Sequence, residues 1–97
     1  CDQQASTDEL ISRATQYMQQ GDYKSATIEL KNAVAADVNN AQARWLLGRT
    51  YFESGDLESA EKELGRAREL GAPGADVLPL LAQVQAALPA RPEVRRH

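Results

Sequence analysis

The sequence has one cysteine and one histidine, and they are its first and last residues, Cys1 and His97. One cysteine cannot close a disulfide within the chain, and this pair cannot supply a zinc site of known spacing. His97 ends a tail rich in proline and arginine, so we expect no fixed imidazole that could act as a general base. Disulfide frameworks, zinc modules and histidine catalysis are therefore not expected.

Aromatic residues and long apolar runs are also scarce. Aromatics make up 5% of the 97 residues, and no apolar run approaches the ~20 residues that span a bilayer. The formal net charge is −3, which argues against a nucleic-acid binder. The glycines are not clustered into a phosphate loop, and neither Ser25 nor Ser59 has a histidine or lysine placed to activate it. We expect one small domain with no catalytic constellation, metal or cofactor.

The sequence does contain a repeat. Segments 17–26 and 51–60, YMQQGDYKSA and YFESGDLESA, share tyrosine, Gly-Asp and Ser-Ala at one fixed offset, which we call the repeat period. Segment 81–82 aligns with segment 47–48 at the same offset. A fixed period of this length indicates stacked helical hairpins.

Local signals divide each repeat into two helices. Gly21-Asp22 and Gly55-Asp56 each predict a left-handed stop followed at once by a new N-cap. Pro79 is expected in the first turn of the last helix, where its missing N–H costs nothing. The five predicted helices begin at the caps Ser6, Asp22, Asn40, Asp56 and Asp76 and end near Gln20, Asp37, Ser54, Leu70 and Leu88. With no strand signal, the sequence predicts an all-α fold.

Small residues mark the predicted helix crossings. Ala14, Gly48 and Ala82 are expected to face Ala26 and Ala60, because larger side chains would force the helices apart. The spaces between hairpins are expected to be filled by Leu30, Leu64, Tyr17 and Tyr51. The charged face of the second repeat is expected to carry the pairs Glu58–Lys62 and Glu63–Arg66.

A family resemblance follows from these residues. The segment from Thr7 to about Leu88 resembles a tetratricopeptide (TPR) array, through Trp45-Leu46-Leu47-Gly48, Tyr51, Gly55-Asp56, Ala60, Leu64, Ala67 and Pro73. The resemblance implies a TPR-type α-α superhelix with repeats at 7–40 and 41–74, a partial repeat at 75–88, a polar tether at 1–6 and a tail at 89–97. The chain also departs from the family pattern. Arg44 occupies the position where the family usually has a bulky residue, and Trp45 lies one residue after it. Val38 replaces the usual closing proline.

The resemblance also implies a concave groove lined by the first helix of each repeat. The expected partner-binding residues are Ile11, Thr15, Met18, Gln42, Trp45, Arg49 and Phe52, flanked by Asp8, Gln19 and Glu53. Spacing alone places Trp45, Arg49 and Phe52 on one helix face, a composition typical of interaction hot spots. The alternative is that Trp45 packs inward as core. TPR grooves that bind the C-terminal carboxylate of a chaperone carry lysine and asparagine at the matching groove positions, where this chain has other residues. The resemblance therefore disfavours a cytosolic chaperone adaptor.

The fifth helix has a wide apolar stripe. Val77, Leu81, Val84 and Leu88 share one face, and Leu78 and Leu80 widen it. Because a terminal capping helix is usually polar outside, this stripe predicts a cover, either a continued array or self-association through 77–88.

Cys1 suggests an attachment role. Cys1 followed by the polar segment 2–6 resembles the mature start of a bacterial lipoprotein with lipid attachment at Cys1, and Asp2 resembles an inner-membrane retention signal. Together with the repeat, it resembles the TPR lipoproteins of the exosortase/PEP-CTERM exopolysaccharide system, often called PrsT. That implies a periplasmic scaffold for polymer export or protein sorting. The alternatives are a cytoplasmic location, with the chain cut at a cysteine, and a purely structural segment of a longer solenoid.

Overall fold

The computed structural model describes residues 6–88, which form five α-helices and, over that range, no strand. They are α1 (Thr7–Gln19), α2 (Tyr23–Ala36), α3 (Ala41–Ser54), α4 (Leu57–Glu69) and α5 (Gly74–Ala87). α1 pairs with α2, and α3 with α4; α2 joins the two hairpins by packing on α3, and α5 packs on α4. The predicted all-α fold is confirmed. The expected tail and the first five residues of the tether lie outside the described residues.

The helix ends follow the local sequence signals closely. The Ser6 Oγ accepts from the Glu9 N–H at 3.2 Å, and the Glu9 carboxylate accepts from the Ser6 N–H at 3.1 Å, which confirms the capping box. Asp22 and Asp56 each accept a hydrogen bond from the backbone three residues later. Gly21 and Gly55, at φ of 80° and 93°, make the left-handed turns that precede these two caps.

The start of α5 differs from the prediction. Pro73 is the N-cap and offers no side-chain cap, so Asp76 is the third helical residue instead of the cap. Pro79 consequently lies inside the helix, and its missing N–H leaves the Ala75 carbonyl without its intrahelical donor. The helix ends at Ala87, with Leu88 extended before a proline as sterics require.

The buried side chains form two clusters. The first joins α1, α2 and the start of α3 through Leu10, Ile11, Ala14, Ala26, Leu30, Ala33, Ala43 and Leu47. The second joins α4 and α5 through Ala60, Leu64, Ala67, Val77, Leu81 and Val84. The half-buried Tyr51 packs against both clusters, as expected for a residue between the hairpins.

The predicted small-residue crossings hold in the two complete hairpins. Ala14, Ala26 and Ala60 are fully buried. A Cβ added at Gly48 would lie 2.7 Å from Leu64 Cγ, so α3 and α4 approach too closely for any side chain there. Ala82, by contrast, is exposed, because no described helix follows α5 to cross it.

The apolar stripe of α5 also differs from the expectation. Val77, Leu81 and Val84 are buried within the chain, where they complete the second cluster. The exposed face of α5 retains Leu78, which is 46% exposed, and the small Ala82. None of the helices in residues 6–88 is long and apolar enough to cross a membrane.

Candidate functional site

A shallow pocket opens between α1 and α3. It encloses about 230 Å³ and is lined by Thr15, Met18, Gln19, Leu46 and Arg49, which we call the Arg49 pocket. Its floor is apolar through Met18 and Leu46. The Thr15 hydroxyl donates to the Ile11 carbonyl at 2.9 Å, which fixes its position on the wall.

Arg49 supplies the charge of this pocket. Its side chain is exposed, and within residues 6–88 no carboxylate lies close enough to form an ion pair with it. A guanidinium carries five N–H donors in a planar fork that matches a carboxylate. The pocket therefore combines an apolar floor with an uncommitted donor group.

A second pocket opens on the other flank of α3. It encloses about 400 Å³, and we call it the Trp45 pocket; its lining is Ala41, Gln42, Trp45, Gly71, Ala72, Pro73 and Asp76. Trp45 is half-buried: part of it packs against the second core cluster, and part lines this pocket. The Trp45 side chain thus contributes to the core and also lines a pocket, and its role in partner binding stays a prediction.

The structure divides the predicted groove residues into three groups. Thr15, Met18, Gln19 and Arg49 come together in the Arg49 pocket, and Gln42 and Trp45 in the Trp45 pocket. Phe52, Asp8 and Glu53 line neither pocket, and Phe52 packs half-buried against the second cluster.

Ile11 requires a correction. It is only 7% exposed and belongs to the first core cluster, so it is not a groove surface. Ile11 and Trp45 are one repeat period apart, and both pack towards the first helix of the next repeat. The neighbouring side chains bury the smaller isoleucine, whereas the larger indole extends beyond its neighbours and lines the Trp45 pocket.

Sequence reasoning missed six pocket residues, namely Leu46 and Asp76 and the small or turn residues Ala41, Gly71, Ala72 and Pro73. Asp76 lies one repeat period after Gln42, so the period could have identified it, although its place near a helix start favours a cap. Leu46 enters the sequence prediction only through the family signature, although it lies one turn from Gln42 and from Arg49.

A largely buried ion pair holds the start of α3 in place. Arg44 Nη1 lies 2.9 Å from Glu63 Oε1 on α4, and Arg44 Nε and Nη2 donate to the Val38 carbonyl at 3.3 and 3.2 Å. The expected Glu63–Arg66 pair is wrong, since Arg66 instead pairs with Glu69 at 3.0 Å. The Arg44 contacts fix the turn of α3 that presents Gln42 and Trp45.

No metal chemistry is suggested by the described part of the chain. Across residues 6–88, no group of three or more histidine, cysteine, aspartate or glutamate side chains could hold a metal ion. Cys1 and His97 lie outside that range. What the two pockets offer is non-covalent: apolar contact, hydrogen bonding and one charge of each sign.

Stacked helical hairpins that follow a fixed sequence period define a helical-repeat protein. The sequence pattern of the tetratricopeptide repeat family matches residues 17–84, more than two thirds of the chain. The chain therefore belongs to the tetratricopeptide repeat family, whose repeats generally mediate protein–protein interaction. A comparison with curated proteins found no match.

Proposed function

We propose that this chain is a non-enzymatic interaction module that holds an extended peptide or protein segment across α3. The observation that carries the proposal is Arg49, which has no ion-pair partner within residues 6–88 and lies beside the apolar side chains of Met18 and Leu46. A segment with an acidic group beside an apolar side chain would satisfy both features at once. Arg–carboxylate contacts are among the stronger hydrogen-bonded pairs, and methionine adapts to varied apolar shapes.

Charge reversal at Arg49 tests this function. We expect Arg49→Glu to weaken binding of acidic peptides selected from an array by at least about tenfold, because attraction becomes like-charge repulsion. Lys62→Glu is the matched control, since Lys62 is exposed on α4 and lines neither pocket. Affinities would be measured by fluorescence anisotropy, with helicity checked by circular dichroism. Equal weakening by both variants would show only a general charge effect and would overturn the proposal.

A membrane-tethered location is a further part of the proposal. Cys1 and the polar segment 2–6 support a lipid-anchored protein on the periplasmic face of a bacterial membrane. Its role would be linked to exopolysaccharide export or protein sorting, as in the lipoproteins that the sequence resembles. Mass spectrometry of the protein made in bacteria with its own upstream sequence tests this. A diacylglycerol adduct that Cys1→Ser abolishes is expected, and an unmodified Cys1 would contradict it.

A second candidate is a structural segment within a larger array, favoured by the exposed face of α5. Leu78 and Ala82 lie one repeat period after Arg44 and Gly48, which α4 covers. An added helix or a second copy of the chain could therefore cover this face. Sedimentation across a concentration series tests whether a second copy of the chain covers this face. A dimer that Leu78→Glu dissociates supports coverage by a second copy, and a monomer at every concentration would contradict it.

A further inference from the structure

The Trp45 pocket has a hydrogen-bonded wall opposite the indole. Gly71 lies just after the C-cap of α4 with φ of 97°, and the next residue, Ala72, donates its N–H to the Ala67 carbonyl at 3.0 Å. Pro73 then restricts the chain as it enters α5. The turn therefore forms a fixed side of the pocket, so a ligand meets a shape that exists before it binds.

Asp76 is an acid whose carboxylate makes no hydrogen bond or ion pair within residues 6–88. Two other aspartates follow a glycine turn near a helix start, Asp22 and Asp56. In each of them a carboxylate oxygen accepts the N-cap hydrogen bond. Asp76 lies three residues too late to cap α5. It remains exposed at the rim of the Trp45 pocket.

We infer that the Trp45 pocket binds a lysine or arginine side chain of the segment that lies across α3. The inference rests on the proposed function, to which it adds a second anchor. A tryptophan face attracts cations more strongly than other aromatic rings, and the Asp76 carboxylate adds an opposite charge. The aliphatic stem of a basic side chain can meanwhile pack on Ala41, Ala72 and Pro73.

An anionic ligand is the rival occupant, because helix α5 begins at this pocket. Helix N-termini present free N–H groups and partial positive charge. Asp76 already supplies a full negative charge in that first turn, so an incoming anion would meet like charge at the rim. The charge balance favours a cation.

The positions of the two pockets also predict the spacing between the two charged residues of the bound segment. Trp45 and Arg49 lie one turn apart on one face of α3, ~5–6 Å between their Cβ atoms, and line pockets on its α5 and α1 sides. Because an extended chain rises ~3.3 Å per residue, a segment crossing α3 would carry an acidic residue for Arg49 and a basic residue for Trp45 about two or three positions apart.

Trp45 is the only tryptophan in the chain, so its fluorescence reports directly on this pocket. The probe is a blocked hexapeptide with one glutamate and one lysine separated by two glycines, compared with peptides carrying norleucine or glutamate in place of the lysine. We expect the lysine peptide to bind about five- to tenfold tighter than the norleucine peptide. Asp76→Asn should reduce this preference, whereas Asp8→Asn, the same change at the equivalent position of the first repeat, should not.

The variants separate the inference from the proposed function. Equal binding of lysine and norleucine peptides, with Arg49→Glu still weakening both, would overturn the basic-residue inference and leave the proposed function intact. Tighter binding of the glutamate peptide would assign the pocket to an anion at the start of α5 and would also overturn it. Failure of all three peptides, with no effect of Arg49→Glu, would count against the proposed function itself.

Discussion

At the scale of single residues, the two repeats differ in the arginine that pairs with the same repeat-position glutamate. Leu10 occupies the position of Arg44 in the first repeat, where it is buried in the core. Glu29, the counterpart of Glu63, lies 3.9 Å from Arg13 instead. Each repeat thus neutralises the same glutamate with a different arginine. Helical spacing could not reveal either pair, because the two partners lie on different helices.

We expect Arg44→Leu to lower the free energy of unfolding by about 3 kcal/mol, because it leaves the 7% exposed Glu63 without its partner. The double variant Arg44→Leu/Glu63→Leu should recover most of that loss, since no buried charge remains. Urea denaturation followed by circular dichroism measures both. If the double variant were no more stable than the single one, loss of the Val38 contacts, and not the unpaired glutamate, would be the cause.

At the scale of helices, the features best predicted from the sequence are those that depend on neighbours along the chain. The starts of α1 to α4 follow from caps that bond to a residue three positions later. The predicted start of α5 is wrong because Pro73 begins it without a side-chain cap, which leaves Asp76 as the nearest candidate. The two pockets could be predicted only in part, since Asp76 and Gln42 meet through the stacking of α5 beside α3.

The crossing of α3 and α4 gives a prediction with an internal control. Gly48→Ala should destabilise the protein by about 1–3 kcal/mol, because its Cβ would collide with Leu64 Cγ and Cδ2 at 2.7 and 2.8 Å. Gly65→Ala, on the open side of α4, meets nothing within 4 Å and should stabilise by about 0.5–1 kcal/mol. Thermal melts of both variants test this. A neutral Gly48→Ala would show that the helices can separate without loss.

At the scale of the whole molecule, the two ends of the array differ. The face that α3 and α5 use to pack on the preceding hairpin is buried and mostly apolar in both helices. On α1 the equivalent positions are Glu9, Arg13 and Gln16, all exposed. A polar outer face is what an end of a helical array needs in water. The opposite end, with Leu78 and Ala82 exposed, is the face better suited to further packing.

The arrangement of the helices supports the proposal that α1 and α3 carry the binding surface. Stacking turns their exposed sides towards one surface, where the Arg49 pocket forms from residues of two different repeats. The outer helices α2 and α4 present scattered groups such as Ile28 and Lys62. A single exposed apolar residue is ordinary on a protein surface and indicates no site.

The most direct test of binding at the Arg49 pocket is amide chemical-shift mapping of the ¹⁵N-labelled chain during titration with an array-selected acidic peptide. We expect the largest shifts to cluster at Thr15, Met18, Leu46 and Arg49, and Arg49→Glu to abolish them. Shifts concentrated instead around Ile28 and Lys62, on α2 and α4, would place binding on the opposite surface and contradict the proposed function.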